Sequence, residues 1–296
     1  MNNFFSNELS KILESDCDND IIFFQANLFN QGKNLRYSIN DILNFFKKNI
    51  YNYTFIIPTH TSVYLFPGSR GNYFSINQKC TNGVLANKLV NSDLGIRSNH
   101  TTHSHYFIGK KSKEFSKLCN IETLPFEFLD LIGIEKISFI NINFKVIPTF
   151  HLIENKLGIS KKFITNLMGS YYIKKNKKIS WKKLKTFNGC DKNYKNLFEE
   201  HILHSNISKK EVKNYKIYFG NLKKIYDIDL NNISKNINIL NCKKCFYCNF
   251  ILNKNLLQTI LKTISNIKIL KRMFVMLFQD KLKLRNIRNK DNLGFF

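Results

Sequence analysis

Three segments between residues 21 and 58 constrain the fold more than any other part of the chain. Ile21-Ile22-Phe23-Phe24 is an uninterrupted apolar run that reads as a buried strand, and Gln31-Gly32-Lys33-Asn34 supplies a turn after it. Asp41 to Lys48 carries apolar residues at 42, 43, 45 and 46, the spacing of an amphipathic helix. Tyr53-Thr54-Phe55-Ile56-Ile57 is β-branched and aromatic until Pro58 breaks it, so a strand there runs into a loop. Strand, helix, strand in this order begins an α/β architecture, and the expectation is a central mixed sheet flanked by helices.

The rest of the chain extends that pattern. Phe4, Phe5, Leu9 and Ile12 place a lead helix within residues 1–20. Residues 59–80 form a long polar connection, of the kind that is usually functional inside a compact domain. Gly83 to Leu94 reads as a helix ended by Gly95, Ile137 to Ile142 as a strand, and Phe150 to Leu157 as the start of another helix. Residues 171–185 are Lys-rich and suit an exposed strand or loop, whereas 195–204 and 251–285 are helical by pattern. A basic amphipathic tail such as 260–284 more often packs on its own domain or on a sister subunit than on an anionic membrane. That face is the expected route to a homo-oligomer. The division expected is one α/β domain over 1–240, then a Cys-containing turn and a basic helical C-terminal extension over 241–296.

Composition narrows the function classes. Of 296 residues, 43% are hydrophobic, which places the chain among globular proteins. Forty-six basic residues against 21 acidic ones give a net charge of +25, a field that gathers anions and repels polycations. The lysines are spread along the whole chain rather than gathered in a stripe, and no helix-turn-helix, zinc-finger or RNA-recognition signature occurs. Nucleic acid is therefore not the expected primary partner; smaller phosphorylated anions are. No run of about 18 apolar residues occurs and the first residues lack a signal-peptide pattern, so the expectation is a cytoplasmic protein without a transmembrane segment. Seven cysteines, odd in number and irregularly spaced, suit a reduced compartment. Cys242, Cys245 and Cys248 have C-x-x-C-x-x-C spacing but no fourth ligand at a suitable distance, so no metal is expected.

Two segments carry the chemistry. Arg97-Ser98-Asn99-His100-Thr101-Thr102-His103-Ser104, ending five residues later at Gly109, is dense in anion-binding donors, with Arg97 offering a planar fork suited to phosphate. His151 and Glu154 lie three apart at a helix start and so share a face. A carboxylate there would fix the imidazole tautomer and raise its basicity, as a general base requires.

Taken with Pro58-Thr59-His60-Thr61 and Gly83-Val84-Leu85, the order and spacing of these segments resemble the aminoglycoside 3-N-acetyltransferase family. The resemblance covers residues 21–160, with Thr101 standing where the family usually has proline. It implies an N-acetyltransferase using acetyl-CoA and no metal, with a small-molecule amine as substrate. His151 would be the base and Glu154 its partner; Arg97, Ser98, His100 and Ser104 would face the cofactor; Thr59, His60, His103 and Thr149 would face the substrate. Since the charge disfavours a polycation, the acceptor expected is an amino sugar, nucleotide-linked and destined for surface polysaccharide. The alternatives are an aminoglycoside, as in antibiotic resistance, or a non-enzymatic basic protein that binds nucleic acid.

Overall fold

The computed structural model describes residues 4–28, 35–61, 73–158, 169–173, 179–183 and 194–240. Helix α1 (Phe4–Asp16) leads into strand β1 (Ile21–Ala26), helix α2 (Leu35–Asn49) and strand β2 (Thr54–Pro58). Then come β3 (Tyr73–Phe74), α3 (Val84–Val90), β4 (Ile96–Arg97), β5 (His105–Ile108), α4 (Ser112–Leu118), α5 (Glu127–Ile132), β6 (Ile137–Ile142) and α6 (Thr149–Lys156). The remainder is β7 (Gly169–Ile173), β8 (Ile179–Lys183), α7 (Tyr194–Leu203), β9 (Ser208–Val212), β10 (Tyr215–Asn221) and α8 (Leu222–Lys235).

Seven strands form one sheet in the order β4-β5-β2-β1-β6-β10-β9, and β3, β7 and β8 form a second, smaller one. The sheet is mixed, as expected. β1 pairs in parallel with β2 and with β6, while β5 and β10 run antiparallel to their neighbours. Alternation along β1 divides its apolar run between two cores. Ile22 and Phe24 pack with α1, α2 and α3, whereas Ile21 and Phe23 pack with the layer of α4 to α8. Phe45, Phe46 and Phe55 meet Phe24 or one another with ring centroids 4.9–6.0 Å apart, so the α2 face pins the middle of the sheet. No helix among the described residues is long and apolar enough to cross a membrane.

One element departs from the sequence reading. The stretch 97–109 is a hairpin rather than one loop: β4 and β5 pair through Arg97 and Tyr106, leaving residues 98–104 as the connection. Gly109 closes it at φ +117, where a Cβ would fall 2.1 Å from the Tyr53 carbonyl oxygen, which is why no larger residue fits. Within the Lys-rich 171–185 segment, expected as strand or loop, residues 171–173 and 179–183 are strand, β7 and β8 pairing antiparallel with β7 beside β3. The extension at 241–296, with Cys242, Cys245, Cys248 and the 251–285 helix, lies outside the described residues.

Because β1, β2 and β6 are parallel, their carboxyl ends open on one side of the sheet, the usual place for ligands in an open α/β sheet. His60 follows the end of β2. His105 pairs with Pro58 at the start of antiparallel β5, and six residues separate the end of β6 from the start of α6. The topology thereby brings residues 60, 105 and 151 to a single edge.

Candidate active site

Helix α6 opens at Thr149 after Pro148 and turns His151 and Glu154 onto one face. His151 Nδ1 lies 2.9 Å from Glu154 Oε2, so the ring's second nitrogen, Nε2, is the one left to act on a substrate. The glutamate is 5% exposed and the imidazole half-buried, which leaves the ring accessible and its partner shielded. Tyr194, the first residue of α7 and fully buried, donates its hydroxyl to Glu154 Oε1. Phe126 stacks on the other side of the imidazole, centroids 5.1 Å apart and planes 25° from parallel.

Phe126 is the hub of the site. It holds a left-handed conformation at φ 64 and its ring also meets His60, His103 and His105 edge-on at 5.3–5.7 Å. His60 lies 4.8 Å from His103 and 5.1 Å from His105, and His103 lies 5.7 Å from His100. Four imidazoles thus surround one benzene ring, and His100 stands behind one of them. Burial holds His60, His103 and His105 well below the ordinary value of 6.5, and a proton on any one imidazole of the cluster would repel a proton on the next. At neutral pH these three rings are uncharged.

The connection 98–104, which holds Ser98, His100 and Ser104 of the residues expected to face the cofactor, is braced from within, and so is Arg97 at its start. Arg97 donates through Nε to Ser104 Oγ (3.1 Å), through Nη1 to the carbonyls of Ile76 (2.9 Å) and Gln78, and through Nη2 to the Thr59 carbonyl (2.7 Å). Four of its five donors are therefore committed to the protein. Its guanidinium also lies 5.3 Å from the Phe74 ring, and burial brings its pKa down to about 10. Ser98 Oγ accepts from the His105 amide and donates to Cys119 Sγ. Ser104 Oγ donates to the Thr59 carbonyl (2.7 Å). His100 Nδ1 accepts from the amides of Thr102 and His103, closing the turn. Thr101 needs no proline to hold it, because its carbonyl accepts from Thr61 Oγ1.

Of the four residues expected to face substrate, Thr59, His103 and Thr149 are buried, and His60 keeps partial exposure. Thr149 Oγ1 is enclosed with no partner among the described residues. His105, Phe126 and Tyr194 belong to the site as well, although no motif marks them. Replacing Arg97 with alanine removes the donors serving three backbone carbonyls and Ser104, a loss of about 4 kcal/mol. The expected result is a fall of roughly 10 °C in Tm by calorimetry. A variant of native stability that binds acetyl-CoA weakly would instead put the guanidinium on the cofactor.

A cysteine also touches the cluster. Cys119 Sγ sits 3.6 Å from His105 Nδ1, a contact that in an exposed site would suggest a covalent acyl-enzyme. Burial pushes this thiol up to about 12 and leaves it 1% exposed, so it stays protonated and out of reach. At the ends of β1 and β2, with the start of α3, lies a small cleft lined by Phe24, Gln25, Ile57, Asn82, Leu85 and Phe144. The carbonyl oxygen of the Gln25 side chain is buried there without a donor among the described residues.

An imidazole oriented by a buried carboxylate is equipment suited to removing a proton from a substrate. Comparison with known proteins gives the class. The family described as aminoglycoside 3-N-acetyltransferase matches residues 56–232, more than half of the chain. The chain belongs to that family and is an acyltransferase. No curated protein matches it closely enough to count as a relative. Among solved structures, the apoenzyme of the aminoglycoside acetyltransferase AAC(3)-IVa is similar with a TM-score of 0.64 at 11% identity, over 83% of this chain and 96% of that one. AAC-IIIb, in a binary complex with CoASH, gives 0.60 at 11% identity over 78% and 96%. YokD from Bacillus subtilis gives 0.59 at 15% identity over 73% and 88%. At such identities these structures establish a common fold.

Proposed function

We propose that this protein transfers the acetyl group of acetyl-CoA to an amine of an aminoglycoside-type amino sugar, with His151 as general base. The observation that carries the reading is the His151–Glu154 pair at 2.9 Å, its imidazole stacked on the Phe126 ring that also meets His60 at the end of β2. Glu154 holds the Nδ1 proton, so Nε2 of His151 is free to take a proton from the acceptor nitrogen as that nitrogen forms its bond to the thioester carbonyl carbon. The carbon–sulfur bond then breaks and CoA leaves as the thiol, the proton returning from His151. A thioester is already activated, so no acyl-enzyme is needed, in keeping with the inert state of Cys119. In the cleft at the ends of β1 and β2, the unmatched Gln25 oxygen offers an acceptor to an amide N–H of the pantetheine arm.

The acceptor is the finer question. AAC(3)-IVa has been solved with apramycin and with a gentamicin, which favours the aminoglycoside alternative over a nucleotide-linked amino sugar. The net charge of +25 is the observation on the other side. Side-by-side assays of acetyl-CoA consumption decide. Turnover on gentamicin or apramycin, with little on a dTDP-linked amino sugar, is the expected result. Preference for the nucleotide sugar would reverse the assignment, and no turnover on any amine would refute the reading. We also infer that residues 1–240 form the catalytic unit and that 241–296 are an appendage to it.

A further inference from the structure

We propose that Tyr194 is a positioning residue for this acetyl transfer: its hydroxyl holds one oxygen of Glu154 so that the other is presented to His151. The inference rests on the reading of His151 as the base. A carboxylate has two acceptor oxygens, and here each has one donor, Tyr194 at Oε1 and His151 Nδ1 at Oε2. The hydrogen-bonded chain runs from hydroxyl to carboxylate to imidazole and ends on a ring that keeps partial exposure.

The tyrosine is suited to hold rather than to follow. Its ring is fully buried, stacked on Phe150 at 4.5 Å and 17°, and meets His151 edge-on at 5.5 Å. Phe150 and His151 are adjacent residues of α6, so one ring of α7 is packed against the catalytic helix as well as bonded to its carboxylate. Helix α7 is itself anchored two turns on, where buried His201 Nε2 lies 2.9 Å from buried Asp229 of α8. Phe198, also fully buried, packs in the same core. Without the hydroxyl, Oε1 would be an enclosed acceptor lacking this donor, a cost that drives the carboxylate to rotate. Rotation takes Oε2 from Nδ1, and the imidazole loses the partner that fixes its tautomer. The mobile proton would then divide between the two ring nitrogens. Molecules with the proton on Nε2 could not accept one from the amine.

The test compares full-length Tyr194→Phe with wild type, since phenylalanine keeps the ring packing and deletes the hydroxyl alone. A kcat about tenfold lower is expected, with KM for both substrates within about twofold. Nitrogen-15 NMR of the His151 ring should change from a single tautomer with the proton on Nδ1 to a mixture. A kcat within twofold of wild type together with an unchanged tautomer overturns the proposal. His151→Ala measured in parallel separates the two levels: if that variant is unimpaired, the general-base reading has failed. If it is inactive while Tyr194→Phe is native in rate and tautomer, only the positioning role has failed. Should Tyr194→Phe not fold, an ortho-fluorinated tyrosine at 194 keeps shape and hydroxyl while altering the strength of the donated bond. A shifted His151 Nδ1 proton resonance is then the expected outcome, and an unmoved one overturns the role.

Discussion

Replacing His151 with alanine is expected to lower kcat about a thousandfold while leaving KM for acetyl-CoA near its native value. Positioned general bases contribute roughly two to four powers of ten, and this one is held by Glu154 at 2.9 Å. The loss corresponds to about 4 kcal/mol of transition-state stabilisation. The pH dependence of the residual rate makes the assignment specific. An amine cannot attack a thioester as an ammonium, and without a base the enzyme must wait for acceptor that has lost its proton to solvent. The residual rate of His151→Ala should therefore climb about tenfold per pH unit below the pKa of the acceptor amine, and free imidazole should restore part of it. A variant with native kcat, or one whose deficit is independent of pH, would remove His151 from proton transfer.

That pair is the most legible part of the site because both of its members lie on one turn of one helix. The i,i+3 spacing needs no knowledge of the fold, and the structure realises it as a 2.9 Å contact. Tyr194 sits 40 residues past Glu154, and nothing local in Tyr194-Lys195-Asn196 signals a carboxylate partner. Phe126 is hidden for another reason. A non-glycine residue at φ 64 leaves no signature in sequence, and its four histidine neighbours come from three separate segments. His105 falls inside the stretch read as a loop, whereas it opens strand β5, where it pairs with Pro58.

Arg97 shows the limit more sharply. Its donor set reads as an anion trap, yet the acceptors that reach it are carbonyls 19, 21 and 38 residues away. Whether a fork binds phosphate or backbone depends on what folds over it, and the long connection at 59–80 supplies those carbonyls. Strand-helix-strand order, by contrast, is readable because apolar period alone decides it. Edge strand β9, Ser-Lys-Lys-Glu-Val, is not, since a charged edge carries no apolar alternation.

The histidine cluster makes the protein acid-labile. Unfolding should become easier steadily below pH 6.5, by as much as about 4 kcal/mol per pH unit, and be flat above about pH 7.5. The direction follows from where the protons go. In the unfolded chain, His60, His103 and His105 take up protons near 6.5, whereas in the fold burial holds each well below that value. Between those two limits the unfolded state binds more protons, so lowering the pH favours it; above 6.5 both states are neutral and the full stability remains. Each imidazole contributes about 1.4 kcal/mol per pH unit in that window, and three acting together give the steep slope. Urea midpoints measured from pH 8 to pH 5 test it, with His103→Asn expected to remove about a third of the slope. A flat profile would mean that the rings can charge in place, which packing around Phe126 and the buried Arg97 opposes. The same measurement bears on mechanism, because an acid limb in activity reports the base only over the pH range in which the urea midpoint shows the fold intact.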